Sequence, residues 1–255
     1  MDSPIRQVAE LLRASSSILF ITGAGLSADS GLPTYRGIGG LYEKKVTDEK
    51  IPIYEALSGR MFREDPSVLW RYLAQVEQPK RSAKPNRGHE VIAQFESRKE
   101  RVWVLTQNVD GFHTAAGSRN VIEIHGNIHN LMCTSPLCAY SAQVQDYAAL
   151  LELPPKCPEC RGVIRPDVVL FGEELPERQA AVMERELEQG FEVIVSVGTS
   201  SVFPYIFEPI LEAERRGIKT AEINPAETQM SPLVDIWIAE RAAKALDAIW
   251  EIMRS

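Results

Sequence analysis

An apolar run, "SILFIT" at 17–22, leads directly into Gly23-Ala24-Gly25-Leu26-Ser27-Ala28. No other stretch limits the possible folds as much. A G-x-G-x-x-G/A loop straight after a strand lets backbone N–H groups approach a pyrophosphate, with a helix N-terminus adding its dipole. The second half of a dehydrogenase fingerprint is missing, because no short helix leads to a second strand ending in Asp or Glu about 20 residues on. Instead the chain continues through Ser30-Gly31-Leu32-Pro33, and the next convincing strand begins near residue 102. The pattern predicts a dinucleotide binder whose loop is unsuited to ordinary hydride transfer.

Strands are expected at 17–22, 102–107, 121–126, 168–172, 193–198 and 219–224. Helices are expected at 4–14, 66–78, 88–97, 177–189, 205–216 and 239–253. Alternation of the two, with near-continuous apolar strands, predicts an α/β fold with a parallel sheet covered on both faces. Two stretches interrupt it, the helical, loop-rich 37–87 and the cysteine segment 131–163.

The four cysteines fall as two pairs, Cys133/Cys138 in "CTSPLC" and Cys157/Cys160 in "CPEC". Two close pairs on Pro- and Gly-punctuated turns match a tetrahedral zinc site better than buried thiols acting as small hydrophobes. Four cysteine ligands leave no open position, so one structural Zn2+ is expected. Segment 131–163 is too short for its own core and takes its folding energy from the metal.

The net charge of −7 argues against a nucleic-acid groove or an anionic membrane surface as the main partner. No apolar run approaches the roughly 20 residues of a membrane span. The N-terminal "MDSPIRQVAELLRASSS" reads as neither signal nor transit peptide. A cytoplasmic protein is expected, with no membrane or nucleic-acid partner.

A second group of polar residues lies past the following strands, where open α/β sheets bind ligands. "TQNVDGFH" supplies Gln107, Asn108 and Asp110, and "IEIHGN" supplies His125. An amide and a carboxylate together can recognise a carboxamide. His125, the only histidine at a strand end, is the candidate general base. His89 and His129 read as structural, and His113 fits either role.

Together "GAGLSADSGLPTYRG", "TQNVDGFHTAAGS", "EIHG", the two cysteine pairs, "RPDVVLFGE", "VGTSS" and "IN" occur in an order that resembles the sirtuin family of NAD-dependent protein deacylases along essentially the whole chain. The resemblance implies a Rossmann-like NAD-binding domain (1–36, 88–130 and 164–255) and a small domain made of the helical insert 37–87 and the zinc knuckle 131–163. It also implies that NAD is consumed as a co-substrate. Nicotinamide would sit by Asn108 and Asp110, and an acyl-lysine oxygen would attack the exposed ribose carbon. His125 would take a ribose hydroxyl proton, and the products would be nicotinamide, O-acyl-ADP-ribose and free lysine. By the same matching Gly23, Ala24, Gly25, Ala28, Tyr35, Arg36, Gln107, Gly198, Thr199, Ser200, Asn224 and Ala242 would line the NAD site. Val168, Val169, Phe171, Gly172 and Glu173 would pair with an extended acyl-lysine peptide by strand addition. A monomer is expected.

Several positions depart from the commonest sirtuin pattern. Thr34-Tyr35 replaces Asp-Phe, as in a branch that removes acidic acyl groups and carries Tyr-x-x-Arg on its helical insert. The best match here is Tyr72 with Gln75 in place of the arginine, which predicts a preference for uncharged acyl groups. Pro204-Tyr205 stands where Pro-Ala is usual, and Glu240 where glycine is common. The alternative reading is an ADP-ribosyltransferase or NAD hydrolase on the same scaffold. A non-enzymatic zinc-ribbon module is disfavoured by the charge and by Asn108, Asp110 and His125.

Overall fold

The structure, a computed structural model, describes residues 3–34 and 51–255. Tyr35 and Arg36 therefore lie outside the described residues. Six parallel strands form the main sheet: β1 (Ser17–Thr22), β2 (Arg101–Thr106), β3 (Val121–Glu123), β7 (Val193–Val197), β8 (Lys219–Ile223) and β9 (Ile236–Ile238). Their spatial order is β3-β2-β1-β7-β8-β9. The order reverses between β1 and β7, and such a switch point opens a crevice beyond the carboxyl ends of the strands.

Helices α1 (Pro4–Ala14), α6 (Arg87–Phe95) and α10 (Ala242–Arg254) cover one face, where Val8, Leu12, Ile92, Phe95, Leu246 and Ile249 pack on Ile18 and Phe20. On the other face α8 (Glu177–Gln189) and α9 (Pro204–Arg215) meet Leu19, Ile21 and Leu105 through Met183, Ile206 and Ile210. Covered on both sides, the strands need apolar residues at consecutive positions, as "ILFI" in β1 has. Short helices α2 (Ala24–Ser27) and α7 (Phe112–Ala115) follow β1 and β2.

A second core gathers α3 (Ile53–Ala56), α4 (Gly59–Glu64) and α5 (Pro66–Glu77) against a three-stranded antiparallel sheet. Its strands are β4 (Gly126–Cys133), β5 (Ser141–Gln143) and β6 (Ile164–Val168), in the order β5-β4-β6. Asp65 caps α5 by accepting from Ser67 N at 3.0 Å, and Pro66 fills the first helical position, where its missing donor costs nothing. Trp70 of α5 is fully buried and donates from Nε1 to the Ile164 carbonyl at 2.9 Å, pinning the helical insert to β6.

Most expected elements are found within a residue or two. The exceptions are on the small sheet and at the edge of the large one. The strand expected at 168–172 is instead β6, four residues earlier and antiparallel. Its apolar "VVLF" continues past the strand into the cleft, which is why composition alone misplaced it. The antiparallel sheet spans Gly126 to Val168, outside the expected 131–163. Strand β9 has three residues and was missed because so short a run carries no period.

Candidate active site

The site is built where β1 and β7 diverge. Gly25 N donates to the Gly198 carbonyl at 2.8 Å, and Gly23 N to the Val197 carbonyl at 3.1 Å. The loops after these strands touch backbone to backbone. A Cβ on Gly25 would lie 2.7 Å from Gly198 Cα, and one on Gly198 only 2.4 Å from Leu26 N, at a φ of +60°. Glycine is required there by contact and by conformation alike.

Above these loops opens a cleft of about 1230 Å³, lined by Gly23, Ala24, Gly25, Ala28, Thr34, Gln107, Asn108, His125, Gly198, Thr199, Ser200 and Asn224. Ordinary ligand pockets run to about 1,000 Å³, so there is room for a dinucleotide together with part of a second substrate. Gln107 Nε2 donates to Thr199 Oγ1 at 2.6 Å, and Asn224 Nδ2 to the Thr199 carbonyl at 3.0 Å. Three strand ends are thereby locked around one threonine.

Asn108 and Asp110 are buried and joined through a residue that sequence reasoning missed. Asn108 Nδ2 donates to Ser27 Oγ at 3.1 Å and to the Gly23 carbonyl at 3.1 Å, while Ser27 Oγ donates to Asp110 Oδ2 at 2.7 Å. Asp110 faces a small recess beside the main cleft, and Asn108 lines both. Burial pushes the Asp110 carboxyl upward, opposed by the bonds it accepts from the Ser27 hydroxyl and the Phe112 N–H and by the charge of Lys80. Ser27 occupies an unspecified position of the glycine motif, so only the fold marks it.

His125 lies between β3 and β4. Its Nδ1 is 3.0 Å from the Gln107 carbonyl oxygen, which can only accept, so Nδ1 carries the proton and Nε2 the lone pair. Burial lowers the pKa of the ring, opposed by the Gln107 bond, so the neutral base is the favoured form. Nε2 accepts from Tyr205 Oη at 2.6 Å. His89 and His113 instead lie buried together beneath α6 and α7, away from the cleft lining.

Val168, Val169, Phe171, Gly172 and Glu173 also line the cleft. Part of the backbone of this segment is already bonded within the protein. Val169 N donates to the His125 carbonyl, Phe171 N to Leu57, and Leu170 N to Glu173 Oε2. Glu173 itself is held in a two-point ion pair by Arg165, at 2.7 and 2.8 Å.

Two expected residues are displaced. Tyr72 is buried in the small-domain core and Gln75 is exposed, and neither lines the cleft. The side chains that α5 turns toward it are Leu73 and Val76, also three apart and each one position further along. On a helix one residue is a rotation of about 100°, so the neighbours of Tyr72 and Gln75 line the cleft while those two do not. Ala242 is likewise buried, packed in the core at the start of α10, and its neighbour Arg241 lines the cleft instead.

The four cysteine sulfurs lie within 4.8 Å of one another, with Cys133–Cys160 at 3.4 Å and Cys138–Cys157 at 3.6 Å. A disulfide needs about 2.05 Å, whereas tetrahedral bonds of about 2.3 Å put sulfurs roughly 3.8 Å apart. Ser135 N and Gly162 N point at Cys133 and Cys160 sulfurs, each at 3.4 Å. The donor set fits a zinc ion held by all four thiolates, with none left over for a reactant.

A parallel sheet with its cleft at the switch point, a buried Asn–Ser–Asp chain, a neutral histidine and a four-cysteine knuckle define a dinucleotide-using α/β enzyme with a zinc-type small domain. The Sir2 family model matches residues 23–204, and the chain belongs to the Sir2 family. It is 50% identical over 242 residues to NAD-dependent protein deacylase 2 of Pseudomonas aeruginosa, covering 94% of this chain and 93% of that protein. A mutant Sir2 homologue in complex with ADP-ribose superposes with a TM-score of 0.87 at 35% identity, covering 100% of this chain and 97% of that one. A Sir2 mutant with a deacetylated p53 peptide and 3′-O-acetyl-ADP-ribose gives 0.85 at 28% identity, with 97% of each chain covered.

Proposed function

We infer that this chain is an NAD-dependent protein-lysine deacylase, releasing nicotinamide, O-acyl-ADP-ribose and free lysine. One observation carries the reading: the glycine cradle, Asn108 and the unprotonated Nε2 of His125 all face a single cleft. NAD would lie over Gly23–Gly25 and Gly198–Ser200, with its carboxamide toward Asn108 and the recess of Asp110. His125 then accepts a ribose hydroxyl proton at Nε2 while that oxygen bonds to the acyl carbon. Gln107 keeps the ring in the tautomer that can do this. The zinc would hold the two cysteine turns together and take no part in the reaction.

The acyl group is read from the apolar side chains that line the cleft. Leu57, Leu73, Val76, Val109 and Ile128 are all apolar, so uncharged aliphatic acyl groups are the substrates this wall suits. We further propose that the NAD-binding and small domains divide as the sequence suggests, except that the small sheet takes in 126–130 and 164–168, and that the protein acts as a cytoplasmic monomer without membrane or nucleic acid. The charge of −7 disfavours a nucleic-acid groove or an anionic membrane surface as the main partner; no helix among the described residues is long and apolar enough to cross a membrane. Incubation with NAD and an acetyl-lysine peptide, followed by mass spectrometry, tests the activity. O-acyl-ADP-ribose formed in step with free lysine is expected. Nicotinamide released without need of the peptide would point to a hydrolase or ADP-ribosyltransferase instead.

A further inference from the structure

The lone pair of His125 is already taken. Tyr205 Oη lies 2.6 Å from Nε2, the one ring nitrogen able to accept a proton. Tyr205 is the second residue of α9, after Pro204, and is half-buried on the cleft wall. Its ring stacks on Phe203 at 5.4 Å and 10°, and both rings meet the imidazole edge-on at 5.8 Å. Burial pushes the phenol up to about 12. It therefore keeps its proton and donates it.

A general base must come within about 2.6–3.2 Å of the proton it abstracts. Tyr205 Oη fills that position. We propose that Tyr205 is a gate on the base, its hydroxyl occupying His125 Nε2 until bound substrates displace it. The inference rests on the deacylase reading, in which nicotinamide departs before the base is used. The gate therefore slows the step in which the ribose O–H proton passes to Nε2, its oxygen bonds to the acyl carbon and the carbon–nitrogen π pair moves onto the lysine nitrogen, and leaves the earlier step alone. Alanine is usual at this position in the family pattern described above, so a phenol is not needed to carry the proton. The cleft beside the ring leaves it space to swing aside.

Tyr205→Phe keeps the stacked ring and removes only the hydroxyl, and Tyr205→Ala removes both. Each is assayed with NAD and an acetyl-lysine peptide for exchange of labelled nicotinamide into NAD and for free lysine peptide. Expected are exchange within about twofold of wild type and deacylation faster by up to about tenfold, the worth of one hydrogen bond. The ¹⁵N resonance of His125 Nε2 in the ligand-free protein should also move toward that of an unbonded imine nitrogen in Tyr205→Phe. A fall in deacylation in Tyr205→Phe would overturn the gate and make the phenol a proton carrier. An unchanged rate with an unchanged resonance would overturn it as well. If wild type shows no peptide-dependent exchange, it is the deacylase reading that fails, and the resonance still reports whether the phenol holds Nε2.

Discussion

His125 Nδ1 donates to the carbonyl oxygen of Gln107 at 3.0 Å, and this bond decides which ring nitrogen is the base. The contact joins the turn after β3 to the end of β2, so the tautomer is fixed by sheet geometry. His125→Ala should lower deacylation by ~10²–10⁴-fold, the usual worth of a general base, with NAD affinity kept. Steady-state rates with NAD titrations check it, and near-wild-type activity would remove His125 from the mechanism.

The acyl group is the second point to test. Wild type should prefer acetyl- or longer aliphatic acyl-lysine to succinyl-lysine, because a carboxylate entering between Leu73 and Val76 loses its hydration against apolar side chains, and the cation beyond Val76, Lys80, already faces Asp110. Val76→Arg should raise desuccinylation tenfold or so relative to deacetylation, since a charge-assisted hydrogen bond is worth roughly 1.5–3 kcal/mol. An acyl-peptide panel measures both. A wild type already faster on succinyl-lysine would show that another cation reaches this wall.

Zinc loss should be felt in the small domain. Cys157 is fully buried among the residues of the second core, and its N–H bonds to the Gly162 carbonyl at 2.8 Å. Cys157→Ser or chelation should release about one zinc per chain and expose 126–168 to limited proteolysis, because a structural metal contributes folding energy. Metal analysis with proteolytic mapping reads this out. A metal-free protein as resistant as wild type would contradict it.

Acid should destabilise the large domain through two buried histidines. Burial lowers His89 to about 4, partly offset by Asp29, and holds His113 well below its ordinary value, with His89 adding to the effect. Both are neutral when folded, whereas the unfolded chain takes up protons below about 6.5. Their contribution is therefore whole above that pH and is lost as pH falls toward 4. His89 alone accounts for roughly 3 kcal/mol of this loss. Unfolding free energies between pH 7 and 4.5 should fall accordingly, and His89→Gln should lessen the slope. A flat profile would show that these rings are protonated in the fold.

Much of this protein was legible in order along the chain. Apolar runs such as "SILFIT" and "VIVSV" set the parallel sheet, since a strand covered on both faces is apolar at most consecutive positions. Gly23, Gly25 and Gly198 marked the cradle because no side chain fits where two backbones meet. Cysteine spacing brought four sulfurs together because each pair sits on its own short turn. What sequence could not decide depended on rotation and on distance across the fold. That α5 turns Leu73 and Val76, and not Tyr72 and Gln75, to the cleft is a matter of helical phase, which only the packed fold fixes. Ala242 and Arg241 differ likewise, one in the core and the other in the cleft. Ser27 between Asn108 and Asp110, and Tyr205 on His125, are contacts between residues about 80 apart in the chain. Local pattern carries no signal for such pairs, because they form only when separate strand ends converge at the switch point.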